Sequence, residues 1–254
     1  MNKLPIIQGL WIGNKLSLME QLSISSFLQN GHSFHLYVYD AVKGVPEGVV
    51  LLDAEKIIRR EKIFKYKDYD SYAGFSNLFR YRLLLEKGGY WVDTDVVCLR
   101  PLRLERDYVF ASEKLHNPSL MGPRSQLANC VIKAPTSSKI MEYCYAESAK
   151  RDPIELAWGE TGPVLLTTAV EKFDLQYYVT RAGIFCPINW WQWKRLISGF
   201  FIVAWKEKEK SAIYGSCAVH LWNEMWRRNG VDKDADFPQN CLYEQFKRRY
   251  LNVT

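Results

Sequence analysis

The 254-residue chain contains no run of about 18 apolar residues of the kind that spans a membrane as a helix. It also lacks a G-x-G-x-x-G turn and a Walker lysine loop, which removes the usual dinucleotide and P-loop sites. Its start, MNKLPIIQGLWIG, has no basic end, apolar middle or small-residue cleavage site, so no secretion signal is read and a cytosolic location is expected. Six cysteines (Cys98, Cys130, Cys144, Cys186, Cys217 and Cys241) fall at no C-x-x-C or Cys/His finger spacing. Neither a disulfide framework nor a zinc site is therefore expected, and several of the thiols should lie in the core. No internal repeat and no low-complexity linker divides the chain, which argues for a single compact unit.

What is present is a core-forming composition, 48% hydrophobic and 14% aromatic, suited to a sizeable α/β domain. The formal charge of +6 admits an anionic ligand, an anionic membrane surface or nucleic acid as partner. The basic residues are interleaved with acids, however, as in EKIIRREKIFKYKDYD and WKEKEK, and read as solvated helix faces; no nucleic-acid partner is expected. FKRRYLNVT, at the end, is either a polar tail or a contact for phospholipid headgroups.

LPIIQGLWIG reads as a buried strand, LSLMEQLSISSFLQNG as a helix with a glycine stop, and FHLYVYD as a second strand. This order is a βαβ signature and predicts a parallel, Rossmann-like nucleotide-binding half. GVPEGVVLLDAEKII adds a short strand and a helix start, and YAGFSNLFRYRLLLEK is an amphipathic helix closed by Gly88-Gly89. Beyond Pro101, DYVFASE and NCVIKAP read as strands, and SSKIMEYCYAESAKR and GPVLLTTAVEKF as helices. YVTRAGIFCPINWWQW is irregular, and CAVHLWNEMW is a strand running into a loop.

The stretch GGYWVDTDVVCLRPL places Asp93 and Asp95 inside an apolar β-forming run. If the strand continues through them, positions i and i+2 face one way and the carboxylates converge. Buried like charges then need a cation or a shared proton. A divalent ion such as Mn²⁺ or Mg²⁺ suits hard oxygen ligands and would make the pair a diphosphate anchor. Two alternatives stand beside it: a turn in which both acids cap backbone N–H groups, and a Mg²⁺-dependent phosphatase motif with an aspartate nucleophile.

FSNLFRYRLLLEKGGYWVDTDVVCLRPL resembles the DxD sugar-binding region of retaining glycosyltransferases of GT-A fold, family 32. ETGPVLLT, CPINWWQW and AVHLWNEMW are similar to the C-terminal region of its α-1,4-galactosyl and α-1,4-N-acetylglucosaminyl transferases. The resemblance implies an α/β GT-A fold, a Rossmann-like mixed sheet flanked by helices, as one catalytic domain over residues 1–254. Residues 1–100 would form the nucleotide-sugar half and 101–254 the acceptor half. It implies a metal-dependent retaining enzyme moving a sugar from a nucleotide sugar, a UDP-sugar by preference, to a glycan or glycolipid acceptor by an α-linkage. A bacterial-type member would build lipopolysaccharide, capsule or a related surface glycan, with peripheral contact at the inner face of a membrane. A non-catalytic carbohydrate-binding module is the alternative outside enzymes.

Residue by residue, the resemblance makes Asp93 and Asp95 the metal-binding pair and His220 a third ligand; a core histidine is the competing reading of His220. It assigns donor contacts to Trp11, Asn77, Arg80, Tyr81 and Trp222, though Arg80 would equally brace its helix against the acidic strand end and Trp11 would equally fill the core. Many relatives carry Asp at the position of Asn77. Asn129 and Glu160 are the candidates for stabilising the anomeric carbon, with Glu160 as a helix cap in the other reading. Thr161, Gly162, Trp190 and Trp191 would meet the acceptor.

Overall fold

The computed structural model describes residues 4–116, 125–199, 213 and 215–251. WKEKEK and the last three residues of FKRRYLNVT lie outside them. The strands are β1 (Ile7–Trp11), β2 (Phe34–Val38), β3 (Val50–Asp53), β4 (Gly89–Val92), β5 (Val96–Cys98), β6 (Val109–Lys114), β7 (Ser125–Ala134) and β8 (Ala218–His220). The α-helices are α1 (Leu18–Gln29), α2 (Ala73–Lys87), α3 (Lys139–Ala149), α4 (Leu165–Lys172), α5 (Asn223–Arg228) and α6 (Leu242–Tyr250).

Among the described residues a six-stranded mixed sheet runs in the order β3-β2-β1-β4-β7-β6, and β5 and β8 form a separate two-stranded sheet. The first four strands of the large sheet are mutually parallel, whereas β7 is antiparallel to both β4 and β6. Helices cover both faces, and strand alternation shows it: Tyr90 and Val92 of β4 join Ile24 and Phe27 of α1, while Trp91 joins Phe79 of α2 and Met141 of α3. This is the α/β class, a mixed sheet flanked by helices, that the resemblance leads one to expect. Among the described residues no helix is long and apolar enough to cross a membrane.

α1 starts with a capping box in which Ser17 and Glu20 satisfy each other's backbone donors. Its serines explain an otherwise poor amphipathic pattern. Ser23 Oγ donates to the Val96 carbonyl at 2.7 Å and Ser26 Oγ accepts from Cys98 N at 2.7 Å, so the helix serves as a hydroxyl partner for β5. α2 ends at Gly88, whose φ of 61° and ψ of −164° suit only glycine, and whose N–H still reaches Leu84 O. A Cβ at Gly88 would stand 2.7 Å from Thr136 N, so the turn is closed sterically as well as conformationally.

Two expectations are corrected. The strand does not continue through the acids: β4 ends at Val92, a turn closes from Asp93 O to Val96 N at 3.1 Å, and β5 leaves in the other sheet. The segment after β8 is a short helix, α5, rather than a loop.

Because Gly88 fixes the direction in which β4 enters the sheet, Gly88→Ala should lower stability by about 2–4 kcal/mol in urea unfolding. A loss below about 1 kcal/mol would show that the turn relaxes around a side chain.

Candidate active site

The carboxyl ends of parallel strands are where open α/β sheets place ligands, and β1 ends here at Trp11 and β4 at Val92, directly before Asp93. Asp93 is held by two neighbours. Its Oδ1 accepts from Trp91 Nε1 at 2.8 Å and faces Arg80 Nη2 at 3.1 Å. Asp95, buried, is held from the opposite side: Oδ2 accepts from Asn223 N at 2.8 Å, capping α5, and faces His220 Nε2 at 3.2 Å. Its carbonyl accepts from Leu221 N at 2.8 Å. The pairing of β5 with β8 sets this geometry, since Val96 lies opposite His220 in register.

The two acids consequently differ. Burial, reinforced by the charge of Asp95, raises the Asp93 carboxyl above the ordinary range although Arg80 pulls it back. For Asp95 the burial cost is outweighed by the charge and hydrogen bond of His220 and by the Asn223 N–H, and its carboxyl lies below that range. Burial likewise opposes the His220 imidazolium, yet the Asp95 carboxylate more than compensates and the ring's pKa is raised. Ligand atoms of Asp93, Asp95 and His220 all lie within 4.8 Å of one another. Two carboxylate oxygens and one imidazole nitrogen are a donor set that fits Mn²⁺ or Mg²⁺, and the pair's mutual repulsion is the charge such an ion would neutralise.

Trp222 stands over the site. It adopts the left-handed conformation at φ 61°, rare for a bulky side chain, with its ring centroid 3.9 Å from that of His220 and Nε1 donating to Ile188 O. Trp11 is half-buried; its Nε1 is buried without a protein partner, and Lys233 lies 5.8 Å from its ring. That lysine pairs with buried Glu20 at 2.6 Å and adds positive charge felt by Asp95. Trp190 and Trp191 pack edge to face, each beside His116, at the end of β6. Trp193 and Trp226 are buried in the core.

Other expected residues are engaged by the protein's own groups. Arg80 is 3% exposed, with its fork divided among Asp93, the Asn129 carbonyl and Ser76, and it stacks on Trp91. It braces α2 against Asp93 at the end of β4. Asn129 Nδ2 donates to Asn77 Oδ1 at 2.6 Å, while Asn77 Nδ2 reaches Thr161 Oγ1 at 3.4 Å. Tyr81, fully buried, donates to the carbonyls of Thr161 and Gly162. Tyr81, Thr161 and Gly162 thus form a junction between α2 and the turn Glu160–Val164. A Cβ at Gly162 would stand 2.9 Å from Asn129 Nδ2 and 3.0 Å from Asn77 Nδ2, so a side chain there would displace both amides. Glu160 turns away: its oxygens pair with Arg151 at 3.1 Å and accept from Ala157 N at 3.1 Å. It caps the turn before it rather than the helix after it.

Sequence reasoning missed Lys233, hidden in the polar run VDKDADF, and Glu113 of β6. Glu113 is 7% exposed, takes a 2.7 Å hydrogen bond from Gln126 and has its other oxygen buried without a partner. Burial raises its carboxyl, against the pull of Gln126 and His220. A Lys–Asp-rich loop and an acid ending a strand carry no local signal that distinguishes them from solvated surface.

Residues 17–116 match the model of a family described as a glycosyltransferase sugar-binding region containing a DXD motif. Residues 154–251 match that of the alpha 1,4-glycosyltransferase conserved region. Asp93 and Asp95 fall in the first and His220 in the second. Among solved structures, a PaToxG glycosyltransferase is similar at 14% identity and a TM-score of 0.46, covering 98% of this chain and 86% of its own. A transferase carrying two cysteine-to-serine changes is similar at 12% identity and a TM-score of 0.43, covering 67% and 85%. No curated protein matches the chain.

Arg80→Ala should destabilise the fold by roughly 2 kcal/mol in denaturant unfolding, since it strips a half-buried carboxylate and a half-buried carbonyl of their donor. Arg80→Lys should recover only part of this, because an ammonium cannot serve the fork's several acceptors at once. Full recovery would reduce the arginine to a point charge.

Proposed function

Given that the chain is a glycosyltransferase of the family-32 type, we propose that it moves a hexose from a UDP-sugar to a glycan or glycolipid acceptor with retention, forming an α-linkage. What supports the reading is the convergence of Asp93, Asp95 and His220 from two sheets and two matched regions onto one point at the strand ends. A Mn²⁺ or Mg²⁺ ion held by these three side chains would neutralise the diphosphate as it leaves. The phosphatase and non-catalytic alternatives give way to this assignment.

In this reading residues 1–100 supply the donor half: Trp11 stacks on the uracil, with its unpartnered indole N–H and nearby Lys233 directed at donor oxygens. Trp222 covers the sugar-diphosphate from above His220. Residues 101–254 supply the acceptor half, with Trp190 and Trp191 as the platform for the apolar face of a sugar. Asn129, its amide oriented by Asn77, stabilises positive charge at the anomeric carbon. The bond from that carbon to the diphosphate breaks, a bond to the acceptor oxygen forms on the same face, and the acceptor proton passes to the departing diphosphate. Arg248 and Arg249, exposed on α6, would bring the enzyme to an anionic membrane face where surface glycans and lipopolysaccharide are assembled.

The test is UDP release from UDP-galactose, UDP-glucose, UDP-N-acetylglucosamine and UDP-N-acetylgalactosamine, with Mn²⁺ and with EDTA. One donor should be hydrolysed only with the ion. Asp95→Asn keeps an oxygen for the Asn223 N–H and should leave the melting temperature nearly unchanged, yet lower turnover on the order of 10³-fold. Metal-independent release, or turnover that survives Asp95→Asn, would overturn the proposal.

A further inference from the structure

Close to His220 lie two thiols that the mechanism does not use. Cys130 of β7 and Cys186, which follows the turn Ala182–Ile184, are both buried, with sulfurs 3.8 Å apart. Ligand atoms of Cys130, Cys186 and His220 lie within 4.8 Å of one another. The imidazole spends Nε2 on Asp95, and Nδ1, across the ring, is buried without a hydrogen-bond partner. Backbone contacts fix this arrangement: Cys130 O accepts from Asp93 N, and Phe185 O accepts from His220 N at 3.1 Å.

Two sulfurs and a nitrogen are soft donors, unlike the oxygens in front of the ring. Zinc–sulfur bonds of about 2.3 Å at a tetrahedral angle place their sulfurs about 3.8 Å apart, so the thiols already stand at the spacing a zinc ion needs. We propose that Cys130, Cys186 and Nδ1 of His220 form a second metal site, selective for Zn²⁺ and similar thiophilic ions, set back to back with the Asp93–Asp95 site and sharing its histidine. Binding releases both thiol protons to solvent, and the ion, two thiolates and neutral imidazole then sum to zero charge, as burial requires.

The shared ring couples the sites. With Nδ1 on the soft ion, the ring proton sits on Nε2 and donates to Asp95, so Nε2 has no lone pair for an ion held by the carboxylates. Zn²⁺ therefore weakens hard-ion binding from behind the cleft, without competing for the nucleotide. This coupling rests on the reading of His220 as a ligand of the front site.

The experiment titrates Co²⁺ into the full chain, freed of metal and kept reduced, following thiolate-to-cobalt charge-transfer absorption, and measures Mn²⁺ binding by paramagnetic resonance with and without Zn²⁺. Wild type and Asp95→Asn should both develop the sulfur band at one ion per chain, and Zn²⁺ should abolish it. Cys130→Ala and the near-isosteric Cys186→Ser should each lose the band while retaining a cooperative melt. Zn²⁺ should weaken Mn²⁺ binding at least about tenfold in wild type and not in Cys186→Ser. No band in wild type, or a band that persists in both cysteine variants, overturns the soft site. A band without Mn²⁺ binding in any condition leaves the soft site standing and overturns the front-site reading instead.

Discussion

Repulsion between two carboxylates separated by one residue is the constraint around which the molecule is arranged. Each acid receives a different cationic partner from a different direction: Arg80 from α2 for Asp93, and His220 from β8 for Asp95. Like charges that cannot share one environment are thereby pushed apart in affinity for protons, one carboxyl raised and the other lowered. The surrounding structure holds those partners in place. Ser23 and Ser26 fix β5 against α1, β5 pairs with β8, and the Asp95 carboxylate starts α5. Arg80 in turn is held by Ser76, Trp91 and the Asn129 carbonyl, so that α2 and β7 are tied to the same point.

Much of this was legible because it is written in local patterns. The strand, helix, strand opening and the α2 helix with its Gly88-Gly89 stop follow from spacing and capping over a few residues. The turn Asp93–Val96 was not legible. It has no glycine or proline, and two short strands joined by such a turn show the same run of β-formers as one long strand. The helix α5 escaped for a related reason: its cap, Asp95, lies 128 residues away from Asn223 in sequence. Long-range partners also decided the fate of single residues. Arg80 and Tyr81 carry the chemistry of ligand contact, and the carbonyls they meet come from β7 and the turn Glu160–Val164, far away in sequence. Glu160 meets Arg151. The Cys130, Cys186 and His220 cluster defeats spacing rules altogether, since a strand, a turn and a strand of the second sheet each give one ligand.

Backbone strain marks the same region. Gly88 lets α2 turn sharply into β4, placing Arg80 under the acids, and Trp222 holds a conformation unfavourable to its side chain while lying on His220. Strain kept in place by surrounding hydrogen bonds, here Trp222 Nε1 to Ile188 O and Asn223 N to Asp95, is a feature of functional sites rather than of bulk core.

The β5–β8 pairing also has a kinetic meaning. Joining Val96 to His220 closes a very long loop, and the entropy of that closure has to be met before its few ladder bonds give anything in return. Among the described strands no other pairing spans so much sequence: the widest in the large sheet, β1 with β4, joins Ile7 to Tyr90. Wherever that pairing is open, Asp93 and Asp95 stand without His220. The same contact that completes the second sheet therefore completes the three-ligand cluster, so cation affinity would report closure of the longest loop between paired strands.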